Sequence, residues 1–263
     1  MTKFSPLPQP DQLNITADRT RPLALTGKRI LIVDDSAACR MVLEAMAKAL
    51  GAIPTTAETA VQAMVASAET EFDLIILDIG LADADGRVLA RTLRETPHGE
   101  SAAILCVSGL GGQTREDGAL ESGANAFAEK PFGSIAAFCE CAEAAIMKQL
   151  GAAEEASRSC SEPGNKAEPM EEALSPHIAS CALEDLSRAR ERLLNAVSAG
   201  DLSAARRAGH FISGVASLIG ASALDAASRT LETASGDSGA LRSVENVLGL
   251  TFEAEARLRS ARS

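Results

Sequence analysis

Ile30-Leu31-Ile32-Val33-Asp34-Asp35, Leu74-Ile75-Ile76-Leu77-Asp78 and Phe127-Ala128-Glu129-Lys130-Pro131 each bring a short apolar run to a charge at its C-terminal end. In a parallel α/β sheet the carboxyl ends of the strands share one edge, and ligands bind in the crevice there. Asp34, Asp35, Asp78 and Lys130 therefore converge, although they lie up to 96 positions apart. Three carboxylates in one crevice repel one another unless a cation joins them, and a cluster that offers only oxygen suits Mg²⁺. A lysine beside such an ion is a natural partner for a phosphoryl group. The pattern reads as an aspartate that accepts phosphate.

Around these runs, strand-like and helical stretches alternate. Strands are expected near 28–33, 53–57, 73–77, 102–107 and 124–128, and helices near 36–50, 59–68, 86–95, 113–121 and 134–150. This alternation predicts a parallel sheet covered on both faces. Pro54 falls inside the second strand, which would normally count against that strand, but proline is tolerated on an edge strand. The flavodoxin-like order 2-1-3-4-5 puts strand 2 on an edge, which accommodates it. Residues 1–27 carry Pro6, Pro8, Pro10 and Pro22 with little periodicity and read as a mobile tail. Residues 151–175 are small, acidic and broken by Pro163, Gly164 and Pro169, so they read as a flexible linker. As a coil it would span roughly 25–30 Å.

Past the linker the pattern is wholly helical. Helices are expected near 182–198, stopping at Gly200; 202–219, capped by Asp201 and ending at Gly220; from Ser222, with a capping-box-like Asp225, to Gly236; and 239–260. Connections this short make successive helices antiparallel, so residues 176–263 are expected to form an all-α four-helix bundle.

The formal net charge is −11, and from residue 176 onward ten acidic side chains balance ten arginines, so the whole excess lies before that point. An acidic front half with no basic stripe argues against direct binding of nucleic acid. No run is long enough to insert in a membrane, and the N-terminus lacks the apolar stretch of a signal peptide. The six cysteines show neither zinc nor disulfide spacing, which suits a reducing cytoplasm.

With these residues in place, residues 28–150 resemble a response-regulator receiver domain. The resemblance implies that Asp34 and Asp35 hold a metal, Asp78 is the phosphoacceptor, Lys130 is the essential lysine before Pro131, and Ser108 bonds the phosphoryl group. It also implies that Phe127 is the aromatic that repacks when Ser108 moves, although packing of an edge strand explains Phe127 equally well. The stretch Asp78-Ile79-Gly80-Leu81-Ala82-Asp83-Ala84-Asp85-Gly86 is similar to the family's loop, with Ala82 where a proline is common. Chemically, Mg²⁺ bridges the negative Asp78 and phosphate, and Lys130 balances charge growing on the transferred oxygens. Gly80 and Leu110 offer no polar group to hold an attacking water, so slow self-hydrolysis is expected.

Of the three histidines, His98 in a Pro-His-Gly loop and His177 read as plain surface residues. His210 lies mid-helix. Ala208, Phe211, Val215 and Leu218 form the expected core-facing stripe, and His210 sits off it, with Arg206, Arg207, Ser213 and Gly214 as its helical neighbours. The ring is expected to be exposed, with Gly214 leaving room for a docking partner. The segment resembles a histidine phosphotransfer (HPt) domain, whose signature is a histidine, then Lys-Gly at the third and fourth positions after it, then Gly-Ala. His210, Gly214, Gly220 and Ala221 match, and Ser213 stands where the lysine belongs. Arg206 and Arg207 are candidates to supply similar charge.

The expectation is a two-component phosphorelay intermediate that exchanges phosphoryl groups between Asp78 and His210, in either direction. Its partners would be a sensor histidine kinase and a downstream response regulator, with acetyl phosphate as a possible small donor. No ATP-binding kinase segment or DNA-binding helix-turn-helix appears, so the receiver would catalyse only its own phosphorylation and the output would be another protein. The rival is a phosphorylation-gated switch whose bundle dimerises or grips a partner with His210 unused.

Overall fold

The computed structural model describes residues 25–109, 113–151, 176–234 and 237–261. The expected tail up to residue 24, the linker over 152–175, Leu110 and the expected helix stop at Gly236 lie outside the described residues. The chain divides into two compact units.

In the first unit β1 (Arg29–Val33), β2 (Ile53–Ala57), β3 (Leu74–Asp78), β4 (Ala103–Ser108) and β5 (Ala126–Glu129) form, among the described residues, one parallel sheet in the order β2-β1-β3-β4-β5. Runs of Ile, Leu and Val form the inner strands because both faces of a parallel sheet are covered by helices. Every residue of β3 and β4 is buried, whereas β2 is largely exposed at the edge, where the missing N–H of Pro54 costs least.

The covering helices are α1 (Ala37–Ala49), α2 (Ala60–Glu69), α3 (Gly86–Arg94), the short α4 (Pro97–Ser101), α5 (Gln113–Glu121) and α6 (Ile135–Gln149). Alternate strand residues feed two separate cores. Ile30, Ile32, Leu74 and Ile76 pack with Leu43 and Met46 of α1 and Phe138 of α6. Leu31, Val33, Ile75 and Leu77 pack with Ala63 of α2 and Leu89 and Leu93 of α3. Each such side chain contributes about 1.5–3 kcal/mol by leaving water.

Two expectations change here. Leu25, assigned to the tail, is fully buried in the first core, and the Gly27 N–H donates to the Gly51 carbonyl, so the folded unit begins before residue 28. The Pro-His-Gly stretch is the start of α4, capped by the Thr96 hydroxyl, rather than a loop. His98 is half-buried, with Nδ1 2.9 Å from the Ser67 carbonyl and Nε2 3.6 Å from Glu71, so it is not a plain surface residue.

The second unit holds α7 (Pro176–Ser198), α8 (Leu202–Leu218), α9 (Ser222–Thr233) and α10 (Asp237–Ala261). They pack as a four-helix bundle whose core joins Ala182, Leu186, Leu193, Ile212, Val215, Leu231 and Val247. Helix α7 starts six residues before the expected 182, because Pro176 suits a first helical turn and Ala179 extends the buried stripe. Asp201 caps α8 as expected, its Oδ1 accepting from the Ala204 N–H. Helix α9 has no side-chain cap, because its N-cap residue is Ala221; Asp225, expected to help cap it, accepts from Ser213 and Arg229 instead. Buried Glu255 is held between Arg190 and Arg259 at 3.0 and 2.9 Å.

Gly86 opens α3 against the backbone of Asp78. A Cβ there would lie 2.1 Å from the Asp78 carbonyl oxygen, which no flexible side chain could relieve. Gly86→Ala should destabilise the first unit by about 1–3 kcal/mol through overpacking, read as a lower urea midpoint in circular dichroism.

Candidate functional site

The strand order changes direction between β1 and β3, and the crevice at a reversal of this kind opens at the carboxyl ends of the strands. Asp34 and Asp35 follow β1, Asp78 ends β3, Ser108 ends β4 and Lys130 follows β5. Lys130 Nζ donates to Asp34 Oδ2 at 2.9 Å and to Asp78 Oδ2 at 2.8 Å. The Lys130 N–H donates to the Ser108 carbonyl at 2.8 Å, which ties the ends of β4 and β5 together. All five side chains are buried.

One carboxylate oxygen from each of Asp34, Asp35 and Asp78 lies within 4.8 Å of the others. At that spacing each carboxylate pair repels by about 3 kcal/mol at an effective dielectric constant near 20. One ammonium offsets only part of three negative charges. The donors are all oxygen, which fits a hard divalent cation.

Neighbouring groups hold the carboxylates in place. The Gly80 N–H donates to Asp78 Oδ1 at 3.1 Å. Asp83 Oδ2 accepts from the Ala60 N–H at 3.0 Å, which fastens the loop after β3 to the start of α2. Asp85 caps α3, and its hydrogen bond from Arg87 outweighs burial and holds its carboxyl below the usual range. Burial, with the nearby Asp78 charge second, pushes the Cys106 thiol up to about 12, so it stays protonated. Phe127 is buried in the core layer with Leu77, Ile104 and Cys106. Arg40 was not anticipated: from α1 it donates to the Asp34 carbonyl and lies 3.5 Å from Glu58, adding a second cation near the end of β1.

The histidine site departs from expectation in three ways. The His210 side chain is only 12% exposed, and its Nδ1 lies 3.1 Å from Oε2 of buried Glu232 on α9. Ser213, expected on the surface, is fully buried and donates its hydroxyl to Asp225, which also accepts from Arg229 Nε at 2.9 Å. The buried stripe of α8 runs through Ala205, Ala208, Ile212, Val215 and Ala216, while Phe211 and Leu218 are only partly buried. The common cause is that α8 is flanked by both α7 and α9, so its core-facing arc is turned away from the one expected.

Gly209 permits the approach of α9, since a Cβ there would lie 3.1 Å from Leu231 Cδ2. Arg206 donates to the Ala234 carbonyl at the end of α9, and exposed Arg207 to Ser203 at 2.8 Å. Gly214 has open space where a Cβ would stand. Glu232, Asp225 and Arg229 lack any spacing signal that links them to His210.

Ser213→Ala should destabilise the bundle by about 1.5–3 kcal/mol, the usual value of a hydrogen bond to a charged group. Differential scanning calorimetry of the full chain would read this as a lower transition temperature for the second unit.

A family model for the response regulator receiver domain matches residues 30–139, and one for the Hpt domain matches residues 177–260. The chain is 32% identical over 105 residues to the chemotaxis protein CheY of Bacillus subtilis, covering 40% of this chain and 86% of that protein. It is 34% identical over 104 residues to the KDP operon transcriptional regulatory protein KdpE of Escherichia coli, covering 40% of this chain and 45% of that protein. It is 33% identical over 111 residues to the gliding motility regulatory protein of Myxococcus xanthus, covering 42% of this chain and 14% of that protein. The chain thus spans less than half the length of the last two. Residue types, strand-end placement and matched segments agree: the chain belongs to the response regulator receiver family and carries an Hpt domain after its receiver domain.

Proposed function

We propose that this protein is a phosphorelay intermediate, in which Asp78 takes a phosphoryl group from a partner's phosphohistidine and His210 exchanges one with a receiver aspartate. The observation that carries this reading is the Lys130 ammonium lying between Asp34 and Asp78 at hydrogen-bond distance from both. A carboxylate oxygen of Asp78 attacks phosphorus in line. The P–N bond breaks, and its electron pair returns to the partner's imidazole. Lys130 follows the charge onto the transferred oxygens, and the Ser108 hydroxyl donates to one of them. Asp34, Asp35 and Asp78 would hold Mg²⁺, which when bound offsets repulsion between the carboxylates and the phosphate. The partners are a sensor histidine kinase and a second response regulator, met in the cytoplasm. Among the described residues, no helix is long and apolar enough to cross a membrane.

A second reading draws on Ser213. Ser213 stands where a lysine would lie one turn from His210, and its hydroxyl is buried and donated to Asp225, which favours a bundle that binds a partner without carrying phosphate. Labelling separates the two. The full chain would be incubated with labelled acetyl phosphate and Mg²⁺, alongside Asp78→Ala and His210→Ala variants. The expected result is base-labile label on Asp78, lost with Asp78→Ala or EDTA and persisting for many minutes. Acid-labile label that needs His210, obtained within the chain or from an added phosphorylated receiver, completes the relay. Label that ignores Asp78→Ala overturns the receiver assignment, and failure of any receiver to charge His210 establishes the binding reading.

A further inference from the structure

We propose that Arg229 of α9 binds the phosphoryl group at His210, supplying from the facing helix the positive charge that the turn after the histidine lacks. This rests on the reading of His210 as a phosphoryl carrier. Asp225, Arg229 and Glu232 recur at helical spacing and share one stripe of α9. The outer two fix where that stripe lies: Asp225 accepts from Ser213, and Glu232 Oε2 lies 3.1 Å from His210 Nδ1. His210 and Ser213 are themselves neighbours one turn apart on α8, so Arg229 stands opposite the turn that joins them.

The surroundings are otherwise negative. A phosphoryl group on His210 would sit beside the carboxylates of Glu232 and Asp225, and like charges this close need a cation between them. Helix α8 does not provide one. Ser213 is neutral, and Arg206 is fastened to the Ala234 carbonyl. Arg207 reaches back one turn to Ser203, the direction in which helical side chains lean.

Arg229 is placed differently. Its Nε donates to Asp225 Oδ1 at 2.9 Å, and its two terminal nitrogens make no hydrogen bond among the described residues. The side chain is 37% exposed, so the terminal nitrogens can meet an incoming group. A guanidinium held at Nε keeps its outer N–H groups for a second anion, and their fork matches two phosphoryl oxygens. Ser213 and Arg229 share the same Asp225 oxygen, so the serine hydroxyl steadies the carboxylate that aims the arginine.

The transfer balances as follows. The lone pair of a ring nitrogen attacks the phosphorus of a receiver's aspartyl phosphate, and the N–P bond forms. The P–O bond breaks, and its electron pair leaves with the aspartate carboxylate. The outer N–H groups of Arg229 donate to two non-bridging oxygens as the group passes. The reverse transfer uses the same contacts.

The test uses the full chain in an Asp78→Ala background, so that label reports on histidine alone. Phosphoramidate serves as the donor: its P–N bond breaks and ammonia departs. Labelling rates are measured over a range of donor concentrations, and ¹H–¹⁵N NMR spectra follow the arginine Nε–H signals before and after labelling. Arg229→Gln should slow labelling on the order of ten- to hundred-fold, the worth of a hydrogen bond to a charged group. Arg229→Lys, which keeps the charge and loses the fork, should recover part of that rate. In the protein with Arg229 intact, the one Nε–H signal absent from Arg229→Lys should shift on labelling.

An unchanged labelling rate in Arg229→Gln overturns the role of Arg229. Slower labelling with no shift of the Arg229 signal also overturns it, because the side chain then acts only on the packing of the bundle. If Arg229→Gln fails to fold, that signal decides: a shift supports the contact, and its absence overturns it. If label is the same in His210→Ala, the carrier reading itself fails, and the role of Arg229 falls with it.

Discussion

The Lys130 ammonium, buried between the carboxylates of Asp34 and Asp78, ties together the residues just after β5 and β1 and the last residue of β3. Charges this deep are costly to desolvate, and they persist only when each has a partner in good geometry. Removing one member of such a set typically costs 3–5 kcal/mol, because the remaining charge is left uncompensated. The sheet order, the strand lengths and the loop after β5 must all agree for these three groups to meet. Gly86 applies a similar constraint from the other side, because the Asp78 backbone occupies the space that any larger residue would need.

The two sites solve different problems. The receiver crevice gathers charges from three strand ends and a hydroxyl from a fourth, on a sheet covered on both faces. Its carboxylates repel one another, and the chemistry follows from that concentrated negative field. The histidine site is made from two helices, and its partners are brought in across the helix pair. Small residues make this possible. Ala205, Ala208 and Ala216 line the α8 core stripe, and Gly209 lets the Leu231 side chain approach closely. Short side chains at a contact let helix axes approach, and the polar groups on the facing helix then come within hydrogen-bond reach.

Much of this was readable in the sequence, for a physical reason. An apolar run that ends in a charge is a local pattern, and a parallel sheet brings the C-terminal ends of its strands to one edge whatever loops lie between. Asp34, Asp35, Asp78, Ser108 and Lys130 could therefore be placed together without coordinates. Pro54 even indicated which strand lies on the edge. The sheet order, the four helices and the Asp201 cap follow from the same kind of local signal.

What the sequence left open concerns facing and approach. A helical stripe read from periodicity is uncertain by a fraction of a turn, and two flanking helices shift the core-facing arc of α8 enough to bury Ser213 and most of His210. The Glu232 carboxylate lies 22 positions from His210 in the chain, and nothing in its own neighbourhood marks it as that ring's partner. Arg40 and His98 likewise acquire their contacts only through packing between elements. The sequence by itself determined the residues and strand ends of the receiver crevice, because strand direction alone aligns them. Only the tertiary structure decided the surroundings of His210, because those depend on how closely two helices approach and which arc each turns toward the other.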